Sequence, residues 1–355
     1  METKPLISDY LVPPGHYVRE ALELYGMTQS ELAERTGRPQ QAVSEIINAR
    51  KEITEETAFQ LEAVLGVPAH IWLNLESVYR YGMERQNLEE RLASQGNLAA
   101  EYPYAELARI GFVKVTRKKP ERVKSLIEFF GVAHLGLVQI NYAAAFRKAL
   151  KKEPSPYCLA AWLRIGELMA EKITLPPYDK AELKRVVLNL RCSTRTEKEI
   201  NHVIQDVLRP AGVAFVNAPR LSKTYANGAT FWHRNRPVVL LSIRGAYEDV
   251  FWYSLFHELG HVLLHERSAT FIEGLGADSP EEREADKYAC DTLIHPNDWQ
   301  RFQRRGQFDP DAVMDFANLQ QINPSIVAGR LMHDGDAFHT YPDLQSLRRR
   351  LSFGE

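Results

Sequence analysis

Apolar and polar positions follow three rhythms along the chain, and each predicts a different part of the fold. From Gly15 to about Tyr81 apolar residues recur every three or four positions in short runs, the spacing of helices with one buried face. Thr28-Gln29-Ser30-Glu31 reads as a capping box opening a helix to about Arg35; Gly37 stops it, and Pro39 opens a second helix through Asn48. Leu32, Ala33, Val43, Ile46 and Ile47 form the inner faces, which leaves Gln29, Gln40, Gln41 and Ser44 outside. The helical rhythm continues through residues 82 to about 190, with segments predicted at Leu88–Leu92, Tyr104–Ile110, Glu121–Phe130, Ala143–Leu150, Tyr157–Thr174 and Lys180–Leu190. Prolines at 154, 156, 176 and 177 punctuate them. The rhythm then shortens: Gly212–Val216 and Pro237–Ile243 are β-branched, bounded by turn residues, and predict strands. Ser222–Trp232, with Asn227-Gly228 as its turn, predicts an exposed edge able to hold an extended peptide. Phe251–Leu264 is apolar around its whole circumference but for a few positions, the mark of a buried helix. Closing helices follow at Asp298–Phe302, Asp311–Phe316 and Pro324–Met332. The fold class this predicts is mainly α with a small β-sheet (α+β).

The polar positions inside that buried helix change the picture. His257-Glu258-Leu259-Gly260-His261 puts two histidines four residues apart on one helix face, where they can grip one zinc ion. Imidazoles and a carboxylate amid apolar neighbours are costly without partners, and a metal supplies one. Glu258 is the candidate base that takes the proton of an attacking water. Catalytic zinc takes three protein ligands and keeps a fourth position open, so a third ligand is expected downstream. Ser279-Pro280-Glu281-Glu282 has a helix-start signature. On that helix Glu282, Ala285, Asp286 and Ala289 share one face, whose small residues permit close packing. Glu282 is the expected third ligand, with Glu284 in reserve. Asp286 is expected to accept the free ring N–H of a ligand histidine. Arg244, Tyr225 and His233 are candidates to steady an oxyanion or the substrate backbone.

The run from His257 to His261, followed by Glu282 to Pro296 with Ala285, Ala289 and Leu293, resembles the ImmA/IrrE family of zinc metallopeptidases, over roughly residues 195 to 335. The lead-in Gly228-Ala229-Thr230 and Val238 to Arg244 is similar too. The resemblance implies a compact thermolysin-like zincin domain, Zn2+ as cofactor, and a repressor or antitoxin as substrate. His295 before Pro296, where an apolar residue is common, departs from the family pattern. Met27-Thr28-Gln29, Val43 to Asn48 and Ile71-Trp72-Leu73-Asn74-Leu75 resemble the Xre-type helix-turn-helix, in particular HigA-like antitoxins, over residues 10 to 80. The division this predicts is a helix-turn-helix domain at 1–81, a helical bridging region at 82–194, the zinc domain at 195–335 and a polar tail at 336–355.

Charge qualifies the DNA-binding expectation. Residues 1–80 carry 7 Lys and Arg against 12 Asp and Glu, whereas DNA binding leans on basic residues at phosphates. A single copy of that domain is expected to bind DNA weakly, with Arg38, Arg50 and Lys51 at phosphates, Gln29, Gln40, Gln41 and Ser44 toward base edges, and a homodimer matching a two-fold operator. The basic surplus lies in residues 81–200, with 21 against 14, at Arg117-Lys118-Lys119 and at Arg147-Lys148 with Lys151-Lys152. The whole chain of 355 residues has a formal net charge of −2, 45% hydrophobic and 25% charged residues, an ordinary globular composition for two or three domains. Three cysteines without paired spacing suit a reducing, cytoplasmic setting, and no segment is long enough to cross a membrane. The sequence thus predicts a DNA-linked zinc endopeptidase acting on a regulatory protein. The alternative is a non-proteolytic DNA-binding antitoxin or repressor whose metal domain senses or docks a partner such as a toxin.

Overall fold

The computed structural model describes residues 11–142, 155–196, 200–242, 247–267, 269–273, 279–306, 308–334 and 342–351. The chain forms two compact units, Met1–Gly96 and Asn97–Glu355. The predicted helix Ala143–Leu150, the basic cluster from Arg147 to Lys152, and Arg244 lie outside the described residues.

The first unit is all-helical: α1 Pro14–Tyr25, α2 Gln29–Thr36, α3 Gln40–Ile47, α4 Glu55–Leu65 and α5 Ala69–Ser94. Thr28 and Glu31 close the expected capping box, with Thr28 N–H donating to Glu31 Oε2 at 2.7 Å and Glu31 N–H to Thr28 Oγ1 at 3.2 Å. Gly37, at φ 67°, takes the left-handed conformation that ends α2. Leu32, Ala33, Val43, Ile46 and Ile47 are buried with Val18, Leu61, Leu65 and Trp72 in one core. This unit runs past residue 81, the expected boundary, because α5 continues unbroken to Ser94. The separate helix expected at Leu88–Leu92 is the end of α5.

The second unit opens with helical segments α6 Gly96–Ala100, whose first residue belongs to the first unit, α7 Tyr104–Arg109, α8 Lys119–Phe130 and α9 Val138–Asn141. Then come α10 Pro156–Ala170, α11 Lys180–Cys192 and α12 Ile200–Leu208. Its sheet has four strands, β1 Ala214–Asn217, β2 Gly228–His233, β3 Arg236–Leu241 and β4 Phe271–Ile272, in the order β1-β3-β2-β4. β1 runs parallel to β3, while β2 is antiparallel to both β3 and β4. β2 is therefore an inner strand at Ala229 and Thr230, not the free edge expected from Ser222–Trp232. Its turn is Arg234-Asn235, at φ 48° and 62°, rather than Asn227-Gly228.

Across the sheet lies α13 Glu248–Leu264, buried along nearly its whole length, and against it pack α14 Pro280–Leu293 and α17 Pro324–Asp334, with α15 Pro296–Gln303 and α16 Pro310–Gln320 between them in sequence. Phe251, Trp252, Leu255, Phe256 and Leu259 of α13 share one core with Leu183, Val187 and Leu190 of α11. The predicted bridging region therefore supplies part of the same core. The predicted polar tail also packs: Leu344 is buried and Arg348 binds Asp249, at the start of α13, with Nη2 2.7 Å from Oδ2. Arginine at the tail counts as polar in sequence, yet its guanidinium is needed where α13 buries an acid.

Candidate metal centre and helix-turn-helix

Small residues set the distance between α13 and α14. Gly260 lies so close to α14 that an added Cβ would stand 3.2 Å from the Ala285 Cα, and Ala285 and Ala289 are fully buried. Ser279 caps α14 by accepting from Glu282 N–H at 3.3 Å. This fixes the register in which Glu282 faces α13. His257 Nε2 and His261 Nε2 stand 3.0 Å apart, and Glu282 Oε2 lies 3.2 Å from the first and 3.7 Å from the second. The three ligand atoms form a cluster within 4.8 Å. Both imidazoles are 2% exposed.

The outer face of each ring decides what the inner nitrogens are. Asp286 Oδ1 lies 2.8 Å from His257 Nδ1 and also accepts from Tyr253 Oη at 2.7 Å. A carboxylate there keeps the proton on Nδ1 and turns the Nε2 lone pair inward. His261 stacks on Phe271 of β4, ring centres 4.1 Å apart. Two inward nitrogens and a carboxylate oxygen at these separations can hold a cation between them. With only protons to supply it, His257 is the group that charges: burial pulls its pKa down, but Asp286, Glu282 and Glu258 outweigh that and push it up to about 10. His261 is lowered, chiefly by burial. The donor set, two imidazoles and one carboxylate, fits zinc.

Glu258 points to the sheet side and is 0% exposed. Thr230 Oγ1 lies 2.6 Å from its Oε2 and 2.9 Å from its carbonyl oxygen, while Oε1 has no hydrogen-bond partner among the described residues. Burial, foremost, holds its carboxyl well above the usual carboxylate range. Gly228 makes room for it: a Cβ there would stand 2.5 Å from Glu258 Oε1. The sequence offered Gly228 as a turn residue, but it is a strand glycine at a close approach.

Two groups that sequence reasoning passed over belong to this centre. Glu273, after β4, accepts from Ser254 Oγ at 2.9 Å, and burial raises its pKa. His265 lies with its Nδ1 2.9 Å from His261 Nδ1, and its Nε2 3.3 Å from Glu284 Oε2. Glu284 thus faces His265 and not the cluster. The signal for His265 was its position one further helical turn beyond His261. His233 is turned to Glu171 at 2.9 Å, and Tyr225 is half-exposed.

Residues 214–290 match the family model of the IrrE N-terminal-like domain. That peptidase-family match spans β1 through most of α14, and so includes every residue of the cluster. Residues 18–72 match a helix-turn-helix family model. Among solved structures, the chain is similar to an addiction module antidote protein of the HigA family from Coxiella burnetii, at 27% identity over 24% of this chain and 94% of that one, TM-score 0.22. It is also similar to a putative antidote protein of a plasmid maintenance system from Nostoc punctiforme, at 26% identity over 23% of this chain and 91% of that one, TM-score 0.23. No curated protein matches the chain.

In the helix-turn-helix domain Gln40, Gln41, Arg50 and Lys51 are exposed, and Gln29 and Ser44 half-buried. Arg38, expected at a phosphate, is half-buried against α4. Its side chain is 15% exposed, paired with Glu56 at 3.5 Å and hydrogen-bonded to Gln60, so it braces α4. The exposed cluster at Lys118, Lys119 and Lys124 is a solvated face, with Lys118 and Lys124 paired along α8 to Glu121 and Glu128. Among the described residues, no helix is long and apolar enough to cross a membrane.

Proposed function

We propose that the chain is a DNA-linked, zinc-dependent endopeptidase that cleaves a regulatory protein, a repressor or an antitoxin. The observation that carries this reading is the convergence of His257 Nε2, His261 Nε2 and Glu282 Oε2 beside the buried, half-partnered carboxylate of Glu258. His257, His261 and Glu282 hold the metal, and Asp286 orients His257. Zinc bound there supplies Lewis acidity, which lowers the pKa of water and polarises the scissile carbonyl. Glu258 does the proton work. Thr230 holds Oε2, which leaves Oε1 to take the proton of the attacking water and pass it to the leaving amine nitrogen. Burial raises its pKa, which strengthens it as a base for the water proton. The helix-turn-helix domain localises the enzyme through Gln29, Gln40, Gln41 and Ser44 at base edges and Arg50 and Lys51 at phosphates. Two copies of the domain, each binding weakly, act together on a two-fold operator as a homodimer.

The test compares wild type, His257→Ala and Glu258→Gln for zinc content and for cleavage of repressors or antitoxins encoded beside the gene. The expected result is about one zinc in wild type and Glu258→Gln, none in His257→Ala, and cleavage by wild type alone. Zinc retained with full biological activity after Glu258→Gln overturns the peptidase reading and leaves a metal-stabilised DNA-binding regulator.

A further inference from the structure

The two histidines of the cluster are oriented by different devices, and the outer nitrogen of the second meets an imidazole, not a carboxylate. We propose that His265 and Glu284 form a relay that positions His261: His261 Nδ1–H donates to His265 Nδ1, and His265 Nε2–H donates to Glu284 Oε2. The inference rests on the metal reading above and assigns to His265 a positioning role, with no contact to metal or substrate.

The geometry admits few proton arrangements. His261 Nδ1 and His265 Nδ1 are 2.9 Å apart, so one carries a hydrogen and the other offers a lone pair. Glu284 Oε2 lies 3.3 Å from His265 Nε2, and a carboxylate favours a hydrogen on the nitrogen facing it. With its Nε2–H turned to Glu284, His265 offers the Nδ1 lone pair to His261. The hydrogen of that bond therefore belongs to His261 Nδ1, which leaves His261 Nε2 a lone pair facing His257 Nε2 at 3.0 Å and Glu282 Oε2 at 3.7 Å. That is the tautomer a metal ligand needs.

Packing holds the relay as firmly as the hydrogen bonds do. The His265 side chain is 7% exposed. Phe271 stacks on His261 and lies 5.1 Å, ring centre to ring centre, from His265, so one aromatic side chain of β4 seats both rings. Helical spacing brings the pair together, since His265 follows His261 by one turn at the end of α13 and its own N–H still donates to the His261 carbonyl at 3.2 Å. Glu284 stands on α14 two residues after Glu282, so the helix that offers the carboxylate of the cluster also braces its second imidazole.

The experiment compares full-length wild type with His265→Asn, His265→Phe and Glu284→Ala. Zinc affinity is read by competition with a chromophoric chelator, and the visible absorption of cobalt reports the ligand field. Asparagine puts an amide oxygen where Nδ1 stands and restores the acceptor. Phenylalanine fills the volume and keeps the aromatic contact but removes the acceptor. The relay predicts that His265→Phe weakens zinc about 10–100-fold and alters the cobalt spectrum. It also predicts that His265→Asn stays within a few-fold of wild type, and that Glu284→Ala falls between, with thermal melting of the metal-free proteins unchanged. The opposite order, phenylalanine tolerated and asparagine not, assigns His265 to packing and overturns the proposal. So does unchanged affinity in both His265→Phe and Glu284→Ala. If wild type itself binds no metal, the metal reading falls and this inference with it; if wild type binds and the order is wrong, only the inference falls.

Discussion

Removing Arg348 should destabilise the second unit far more than its place near the chain end suggests. Its Nε and Nη2 both reach Asp249 Oδ2, at 2.9 and 2.7 Å, and the side chains are 7% and 9% exposed. Arg348→Met keeps much of the stem volume and leaves Asp249 without its cation. Breaking a buried pair from one side costs about 3–5 kcal/mol. The loss of the guanidinium from the face of Tyr247, 4.1 Å away, adds to this by about 0.5–1 kcal/mol. Asp249 lies in the first turn of α13, where the helix N-terminus returns about 0.3–1 kcal/mol to a negative charge. The net is a loss of about 3–5 kcal/mol, a large share of the ~5–15 kcal/mol that holds a domain. Urea unfolding followed by fluorescence measures it. Burial, the largest influence on Asp249, already raises its pKa despite Arg348. Without Arg348 the folded state binds this proton still more readily than the unfolded chain, so the defect shrinks as pH falls from 7.5 toward 5. Asp249→Asn combined with Arg348→Met should recover most of the loss. A loss below about 1 kcal/mol, or a double variant as unstable as the single one, refutes the argument that an uncompensated buried charge is the cause.

Gly228→Ala should leave zinc bound and reduce cleavage about 100-fold, because the new Cβ displaces the Glu258 carboxylate and a shift of about 1 Å at a catalytic group costs that much; wild-type turnover in the variant counts against Glu258 as the base. Zinc loading at pH 8 should release protons, since His257 is raised to about 10 and surrenders one, and burial holds Glu258 well above the usual carboxylate range beside it, while His261 is lowered; calorimetry in buffers of different ionisation enthalpy reads the number, and none released refutes the assignment. The same linkage makes apparent zinc affinity rise with pH between about 7 and 9. In the first unit, Thr28→Ala removes the cap of α2 and should cost about 0.5–2 kcal/mol, seen as faster hydrogen exchange at Leu32 to Arg35.

What the sequence made legible was whatever depends on neighbours along one helix. The grouping of His257 with His261, the Ser279 start of α14 and the face shared by Glu282, Ala285, Asp286 and Ala289 all follow from 3.6-residue periodicity and capping. The features hidden from the sequence depend on partners far away in the chain. Gly228 beside Asn227 has the composition of a turn, and only the approach of Glu258 shows why glycine stands there. Arg38 is a basic residue at a helix-turn-helix, and only the placement of Glu56 and Gln60 on α4 draws it inward. Arg348 sits in a polar tail whose burial depends on Asp249, 99 residues earlier. His265 carried a periodic signal, but its use depends on where Glu284 and Phe271 fall.

The contact of Gly260 with Ala285, where two helices meet almost backbone to backbone, has a thermodynamic corollary. A cage whose spacing is set by main chain and by the surrounding apolar core does not need its ion in order to exist. Loading should therefore resemble filling a vessel more than folding a polypeptide: a heat-capacity change near zero, little change in circular dichroism, and a metal-free domain that still melts cooperatively. Small zinc modules that collapse around their ion behave in the opposite way. Here chelation would silence the centre and leave the molecule standing, ready to be switched on again by the metal alone.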